Sequence, residues 1–276
     1  MLSYGYLLDL ALILLSTKLL GIITKKFKMP QVVGALLAGL IFGPAMLNIL
    51  KETNFIIQLS ELGVILLMFS AGLDTDLNEL KKTGKASFII ALFGVLIPLI
   101  GGFLVAYLFS DLDLMKEATT NVLLQNIFIG VILTATSVSI TVEALKEMGK
   151  LNTSAGTAIL GAAIIDDILG IIALTIISSM ADTSVNVGFV LLKIVAYFIF
   201  VIVIGITSHK AFDIWMKYEN RDRRRFITAA LVFCLLLSYV SEEIFGVADI
   251  TGAFIAGLIL SNVERKTYVA SRLDIL

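Results

Sequence analysis

The stretch "GAAIIDDILGII", Gly161 to Ile172, places two adjacent aspartates inside an otherwise apolar run. The rest of the chain is apolar as well: 58% of its 276 residues are hydrophobic, 16% are charged, and the mean hydropathy is +0.99. A soluble domain has about 45–50% apolar and about 25% charged residues. The composition therefore predicts an integral membrane protein, with Asp166 and Asp167 inside the bilayer.

Apolar segments of membrane-spanning length recur along the chain between short polar breaks. A bilayer requires about 20 apolar residues per helix, and the sequence lacks the alternating pattern of a membrane β-barrel. We therefore predict an all-α fold with nine transmembrane helices. Their predicted ranges are 5–24, 31–50, 54–73, 86–109, 121–144, 153–180, 187–208, 226–246 and 249–263.

Lys and Arg are distributed unevenly between the two sets of loops. Seventeen of the 21 basic residues follow predicted helices 1, 3, 5, 7 and 9. Because cytoplasmic loops are enriched in Lys and Arg, this bias predicts a multi-pass protein of the cell (cytoplasmic) membrane, with its N-terminus outside and its C-terminus inside. The net charge of −1 gives no basic surface for nucleic acid, so we expect no nucleic-acid partner.

Two short segments resemble each other at an offset of 218 residues: "GALLAGLIFG", Gly34 to Gly43, and "GAFIAGLILS", Gly252 to Ser261. Their predicted helices run in opposite directions, which is typical of an inverted repeat. We therefore predict three parts of the chain. These are a first six-helix repeat at 1–180 with core-domain helices at 86–180, a connector helix and cytoplasmic loop at 181–225, and the start of a second repeat at 226–276.

Asp166 and Asp167 lie about 14 residues into predicted helix 6, which is about 20 Å along its axis and near mid-bilayer. Each ionised aspartate at that depth costs about 2.5–3.5 kcal/mol on insertion scales, so both must face protein, water or an ion. Adjacent side chains on a helix point about 100° apart, so one can line a cavity while the other contacts a neighbouring helix. A proton- or cation-binding site is the hypothesis; pairing with a buried Lys or a hydroxyl network is the alternative.

A second polar stretch, "TATSVSIT", runs from Thr134 to Thr141 in predicted helix 5. Its five hydroxyls compete for backbone groups and its β-branched residues weaken the helix, so we expect a local unwinding. An unbroken helix with hydroxyls bonded to the preceding turn is the alternative. The stretch lies at the depth of the aspartates on the neighbouring antiparallel helix, where carbonyl, hydroxyl and carboxylate oxygens would form a hard-cation site.

These two stretches, with "VGALLAGLIFGP" near the start and "ELGVILLMFSAGLD" in predicted helix 3, resemble the bacterial and archaeal monovalent cation/proton antiporters, particularly the sodium/proton exchangers. The resemblance implies an inverted-repeat fold with a core domain, a homodimer, and transport of Na+, or Li+ or K+, against H+ with no cofactor and no enzymatic activity. It implies Asp167 as the carboxylate bound alternately by proton and cation, with Asp166 assisting. Thr134, Thr136 and Ser137 would add oxygens. Glu61, in predicted helix 3, is a further acid that could line a cavity.

The chain departs from that family in its number of helices. Members usually have about twelve or thirteen, and this sequence provides nine, so the second repeat is predicted to be incomplete and the chain to be a fragment of a longer protein. A truncated membrane sensor or assembly subunit that does not transport is the alternative. An intramembrane aspartyl protease fits less well, because its two aspartates lie on separate helices.

Overall fold

A computed structural model describes residues 5–109, 122–181, 186–218 and 223–261. The regular structure in these ranges is helical, which confirms the predicted all-α class. The helices are α1 (Gly5–Lys26), α2 (Gln31–Phe42), α3 (Asn54–Asp74), α4 (Leu77–Leu108), α5 (Val122–Ile132), α6 (Val138–Glu147), α7 (Ser154–Ala181), α8 (Val187–Tyr218), α9 (Arg223–Tyr239), which continues into a π-helical turn (Val240–Phe245), and α10 (Asp249–Leu260).

Six helical segments in the described ranges are long and apolar enough to cross a membrane: α1, α3, α4, α7, α8, and α9 together with its π-helical turn. Helices α2, α5 and α10 are apolar but have only 12, 11 and 12 residues. These long apolar helices agree with the predicted membrane-protein class. These helix lengths do not establish that there are nine spans, so that number stays a prediction.

Helix α2 is shorter than predicted. The range 31–50 was expected to be helical, but α2 ends at Phe42 and the chain then forms turns. Gly43 adopts an extended conformation, with ψ near −173°, and the following Pro44 has no N–H to continue the helical hydrogen bonds. The predicted second span is therefore wrong over its last turns.

Helix α4 begins earlier than predicted, at Leu77 instead of 86. The Asp76 carboxylate caps its N-terminus by accepting a hydrogen bond from the Asn78 amide at 2.7 Å. The basic cluster of Lys81, Lys82 and Lys85 consequently lies on the first turns of a helix, where the sequence predicted a loop.

Glycines form the crossing between α3 and α10. A Cβ atom at Gly257 would overlap with the Phe69 carbonyl oxygen, and one at Gly72 would overlap with the Phe254 carbonyl oxygen. Such close backbone contact between small residues is typical of membrane helices. Because both helices also contribute to a large cluster of buried apolar side chains, α10 is held firmly against α3.

Helix α4 packs against α7, which carries the two aspartates, and against α5, which ends just before the hydroxyl-rich stretch. The Ser87 hydroxyl on α4 donates a hydrogen bond to the Ala158 carbonyl on α7 at 3.0 Å, and a Cβ at Gly161 would meet the Ser87 side chain. On the other part of α4, Gly102 packs against Gly130 of α5. These contacts fix α5 and α7 on the same supporting helix.

Candidate functional site

The predicted interruption of the fifth apolar segment is present, and it is shorter than the sequence pattern indicated. Helix α5 ends at Ile132, α6 begins at Val138, and residues 133–137 between them are not helical. The rest of "TATSVSIT" is helical within α6. The first N–H groups of α6 have no intrahelical partners, and the side chain of Ser137, the residue before α6, does not cap them.

Side-chain hydrogen bonding explains why α5 stops where it does. The Thr134 and Ala135 amides donate to carbonyls only three residues back, at 3.0 and 3.4 Å, in place of the α-helical pattern. The buried Thr134 hydroxyl donates to the Val131 carbonyl at 2.7 Å. A hydroxyl that competes for the last carbonyls of a helix favours termination.

Asp166 lies opposite this break. It is near the middle of α7, is partly buried, and accepts a hydrogen bond at 2.9 Å from the Thr136 hydroxyl through its Oδ2 atom. Thr136 is itself one of the non-helical residues. The aspartate pair and the interrupted helix are therefore joined directly, as the equal depth of the two stretches predicted.

Asp167 makes a different contact, because its side chain leaves α7 in another direction. Its Oδ2 atom accepts a hydrogen bond at 3.2 Å from the Thr251 hydroxyl, in the first turn of α10. Thr251 is 1% exposed. The two adjacent carboxylates thus contact two different segments: Asp166 contacts the break, and Asp167 contacts the helix held against α3.

Two cavities flank the hydrogen bond between Thr136 and Asp166. The larger, about 380 Å³, is lined by residues between 131 and 136 and between 166 and 174, including both aspartates. The smaller, about 160 Å³, is lined by residues between 136 and 141, between 159 and 166, and between 90 and 94 on α4. Thr136 and Asp166 line both cavities. Either cavity can hold water or a small ion beside a carboxylate.

The other predicted site residues occupy different positions relative to these cavities. Thr134 lines the larger cavity, but its hydroxyl is bonded to Val131. Ser137 lines the smaller cavity, where its hydroxyl lies 3.2 Å from that of Ser139. Glu61 is exposed on α3 and lines neither of the two cavities. Binding of a proton or cation by any of these groups stays a prediction.

Sequence reasoning missed Thr251. Thr251 lies in the run "DITGAFIAG", Asp249 to Gly257, among small and apolar residues. The available signal was a single hydroxyl in the first turn of an otherwise apolar helix. That signal is weak, because a threonine there could equally bond its own helix.

The chain matches the model of one protein family, described as sodium/hydrogen exchanger, transmembrane, over residues 11–276. It is 40% identical over 269 residues to a probable Na+/H+ antiporter, GerT, of Bacillus cereus, covering 96% of this chain and 68% of that protein. It is 38% identical to the Na+/H+-K+ antiporter GerN of Bacillus cereus, covering 99% and 67%, and 35% identical to a Na+/H+ antiporter of Enterococcus hirae, covering 97% and 68%. The chain spans about two thirds of the length of these relatives.

Proposed function

The chain belongs to the sodium/hydrogen exchanger family, and from this premise we propose that it is a secondary active transporter that exchanges a monovalent cation for protons. Sodium is the proposed cation, with lithium and potassium as alternatives, since relatives are named as sodium antiporters and GerN also carries potassium in its name. Such exchange uses ion gradients and requires no cofactor.

The observation that carries the proposal is the contact between the aspartate pair and the interrupted helix. Asp166 is hydrogen-bonded to Thr136 within the break, and both aspartates line the larger cavity. The hydroxyls and backbone carbonyls of the break, together with two carboxylates near mid-membrane, are oxygen-rich surroundings suited to a hard cation. We assign Asp167 as the exchanging carboxylate and Asp166 as its assistant, with Thr134, Thr136 and Ser137 as further oxygen donors.

Competition at one carboxylate explains how two fluxes are coupled. Asp167 can carry a proton or coordinate a cation, and binding of either displaces the other. If the site faces one side of the membrane at a time, each cation that leaves must be replaced by protons before the site returns. Coupling then needs no separate gate.

The two cavities support alternating access. With the orientation predicted from Lys and Arg, the larger cavity lies toward the outer half of α7 and the smaller toward the inner half. Thr136 and Asp166 lie between them. A movement of α7 and the break that opens one cavity and closes the other would expose the same carboxylates to each side in turn.

Equivalent glycine contacts support the proposed inverted repeat. A Cβ at Gly34 of α2 would overlap with the backbone of Leu20 and Gly21 on α1. A Cβ at Gly252 of α10 would come within 3 Å of the backbone of Leu237 and Ser238 on α9. The two glycines, and also Leu20 and Ser238, are separated by the same 218 residues. We propose that 1–180 and 226–276 belong to two repeats joined by 181–225.

Three further features belong to the same proposal. The three short apolar elements, α2, the pair α5 and α6, and α10, complete nine passes when counted with the six long helices. The N-terminus lies outside the cell membrane. The functional unit is a homodimer, as the resemblance to the family implies.

Reconstitution of the purified chain into liposomes that contain a pH-sensitive dye tests the proposed function. Adding sodium outside should drive protons out, so the internal pH should rise, and protein-free liposomes should not respond. Parallel additions of lithium and potassium identify the cation. No response to any of the three salts would contradict transport by this chain alone, and would favour either a fragment of a longer antiporter or a membrane sensor or assembly subunit that does not transport.

A further inference from the structure

The hydrogen bond between Thr251 and Asp167 joins two parts of the fold, the helix pair α3 and α10 and the helix pair α4 and α7. Thr251 is in the first turn of α10, which is fixed against α3 by the crossing at Gly72 and Gly257. Asp167 is on α7, which is fixed against α4 by Ser87. The bond spans 84 positions in sequence.

Thr251 contacts the Asp167 carboxylate from the side that faces away from the larger cavity. Asp167 lines the larger cavity, whereas Thr251 does not line either of the two cavities and is 1% exposed. The hydroxyl binds Oδ2. The carboxylate can therefore offer its other oxygen to the cavity while Thr251 holds it from behind.

From this geometry we propose that Thr251 is a positioning residue for monovalent cation binding, which orients the Asp167 carboxylate toward the cavity. The inference rests on the proposed function, because it requires Asp167 to bind a cation. A carboxylate without a partner on its buried side rotates about its last bond, so it must be ordered when the cation arrives. Thr251 orders it in advance, and the cation then binds more tightly.

Because α10 is held in place by its neighbours, the Thr251 hydroxyl is suited to orienting the Asp167 carboxylate. A positioning group must not move with the side chain that it orients. Thr251 donates its backbone N–H to the Ala248 carbonyl at 3.0 Å, and the next residue, Gly252, packs closely on α9. The binding site is thus completed by a helix of the segment 226–276, far in sequence from the aspartates.

Equilibrium binding of radioactive sodium to the purified chain, with lithium and potassium as competitors, tests the proposal together with the kinetics of exchange. Thr251→Val keeps the shape of the side chain and removes the hydroxyl. We expect the dissociation constant and the KM for the cation to rise about three- to twentyfold, the range for a side-chain hydrogen bond within a membrane, with the maximal rate changed less. Thr251→Ser should restore values close to those of the wild type.

Thr175→Val is the matched control, because the Thr175 hydroxyl lies on α7 but donates only to its own helix, at the Ile171 carbonyl, 2.6 Å away. It should leave binding unchanged. If valine lowers the yield of folded protein, Thr251→Ala repeats the measurement with a smaller side chain. Unchanged or tighter binding in the variants without the hydroxyl, or no rescue by serine, would overturn the positioning role while leaving the proposed function intact. Absence of cation binding by the wild type would instead overturn the proposed function and, with it, this inference.

Discussion

The Thr136 hydroxyl donates a hydrogen bond of 2.9 Å to Asp166 across the gap between an interrupted helix and an unbroken one. Both residues line the two cavities on either side of that bond. This polar contact thus lies at the border of two spaces that an ion could occupy. Its donor is available because the chain is not helical at Thr136. The break therefore also places a hydroxyl beside Asp166.

Replacing that hydroxyl should weaken exchange. Thr136→Val removes a hydrogen bond to a carboxylate and the hydroxyl of a residue that lines both cavities. A hydrogen bond to a charged group contributes about 1.5–3 kcal/mol, so we expect exchange at low sodium to fall about tenfold or more. The measurement is the rate of sodium-driven pH change in liposomes as a function of sodium concentration.

Thr136→Ser and Thr207→Val separate loss of the contact from a general effect of valine. Serine keeps the hydroxyl and should retain most of the activity. Thr207 donates only to carbonyls of its own helix, at Val203 and Ile204, so its replacement should have little effect. Equal rates for Thr136→Val and the wild type would show that the contact is not used in transport.

The crossing of α3 and α10 should not tolerate a methyl group. Gly257→Ala places a Cβ against the Phe69 carbonyl oxygen, so the helices must separate. Overpacking of this kind costs about 1–3 kcal/mol. We expect a lower melting temperature in detergent. The measurement is the loss of the monodisperse peak in size-exclusion chromatography after heating to a series of temperatures.

Gly39→Ala is the matched control for that variant. Gly39 is the residue of α2 at the same 218-residue offset, and a Cβ there meets no atom within 4 Å. Alanine at this position should leave stability unchanged or slightly raised, because alanine favours helix. A similar loss of stability in both variants would contradict the account of the crossing.

Labelling of single cysteines tests the proposed orientation. The native cysteine, Cys234, is 0% exposed and should give little background with a maleimide that cannot cross membranes. Lys51→Cys should react in intact cells, whereas Lys26→Cys should react only after permeabilisation, because its loop is predicted to be cytoplasmic. Both lysines are exposed. The reverse pattern would contradict an outer N-terminus.

Much of the site could be predicted from sequence because its parts are local. The position of Asp166 and Asp167 near the middle of a long apolar helix follows from counting residues along an apolar run, and the break follows from the density of hydroxyls around Thr134. Both stretches belong to consecutive apolar segments, so antiparallel neighbours at equal depth are the simplest arrangement. The contact between Thr136 and Asp166 agrees with that reasoning.

The rest of the site depends on packing that no local pattern encodes. Thr251 and Asp167 lie 84 positions apart in sequence, and the helix that carries Thr251 is held against α3 by close backbone contacts at Gly72 and Gly257. Helix ends were missed for a related reason: the apolar composition of 31–50 indicated a continuous span, whereas Gly43 and Pro44 end α2 after Phe42. Hydropathy indicates which segments can lie in a membrane, whereas backbone hydrogen bonding determines where each helix ends.

The most direct test of the central claim is sodium-driven proton exchange by Asp167→Asn in liposomes, compared with the wild type. Asparagine keeps the size of the side chain but can neither carry an exchangeable proton nor neutralise a cation, so exchange should be abolished. Asp9→Asn, on α1 and lining neither of the two cavities, should exchange like the wild type. Loss of exchange in Asp167→Asn alone is the result predicted here; exchange that persists in that variant would contradict the assignment of Asp167 as the exchanging carboxylate.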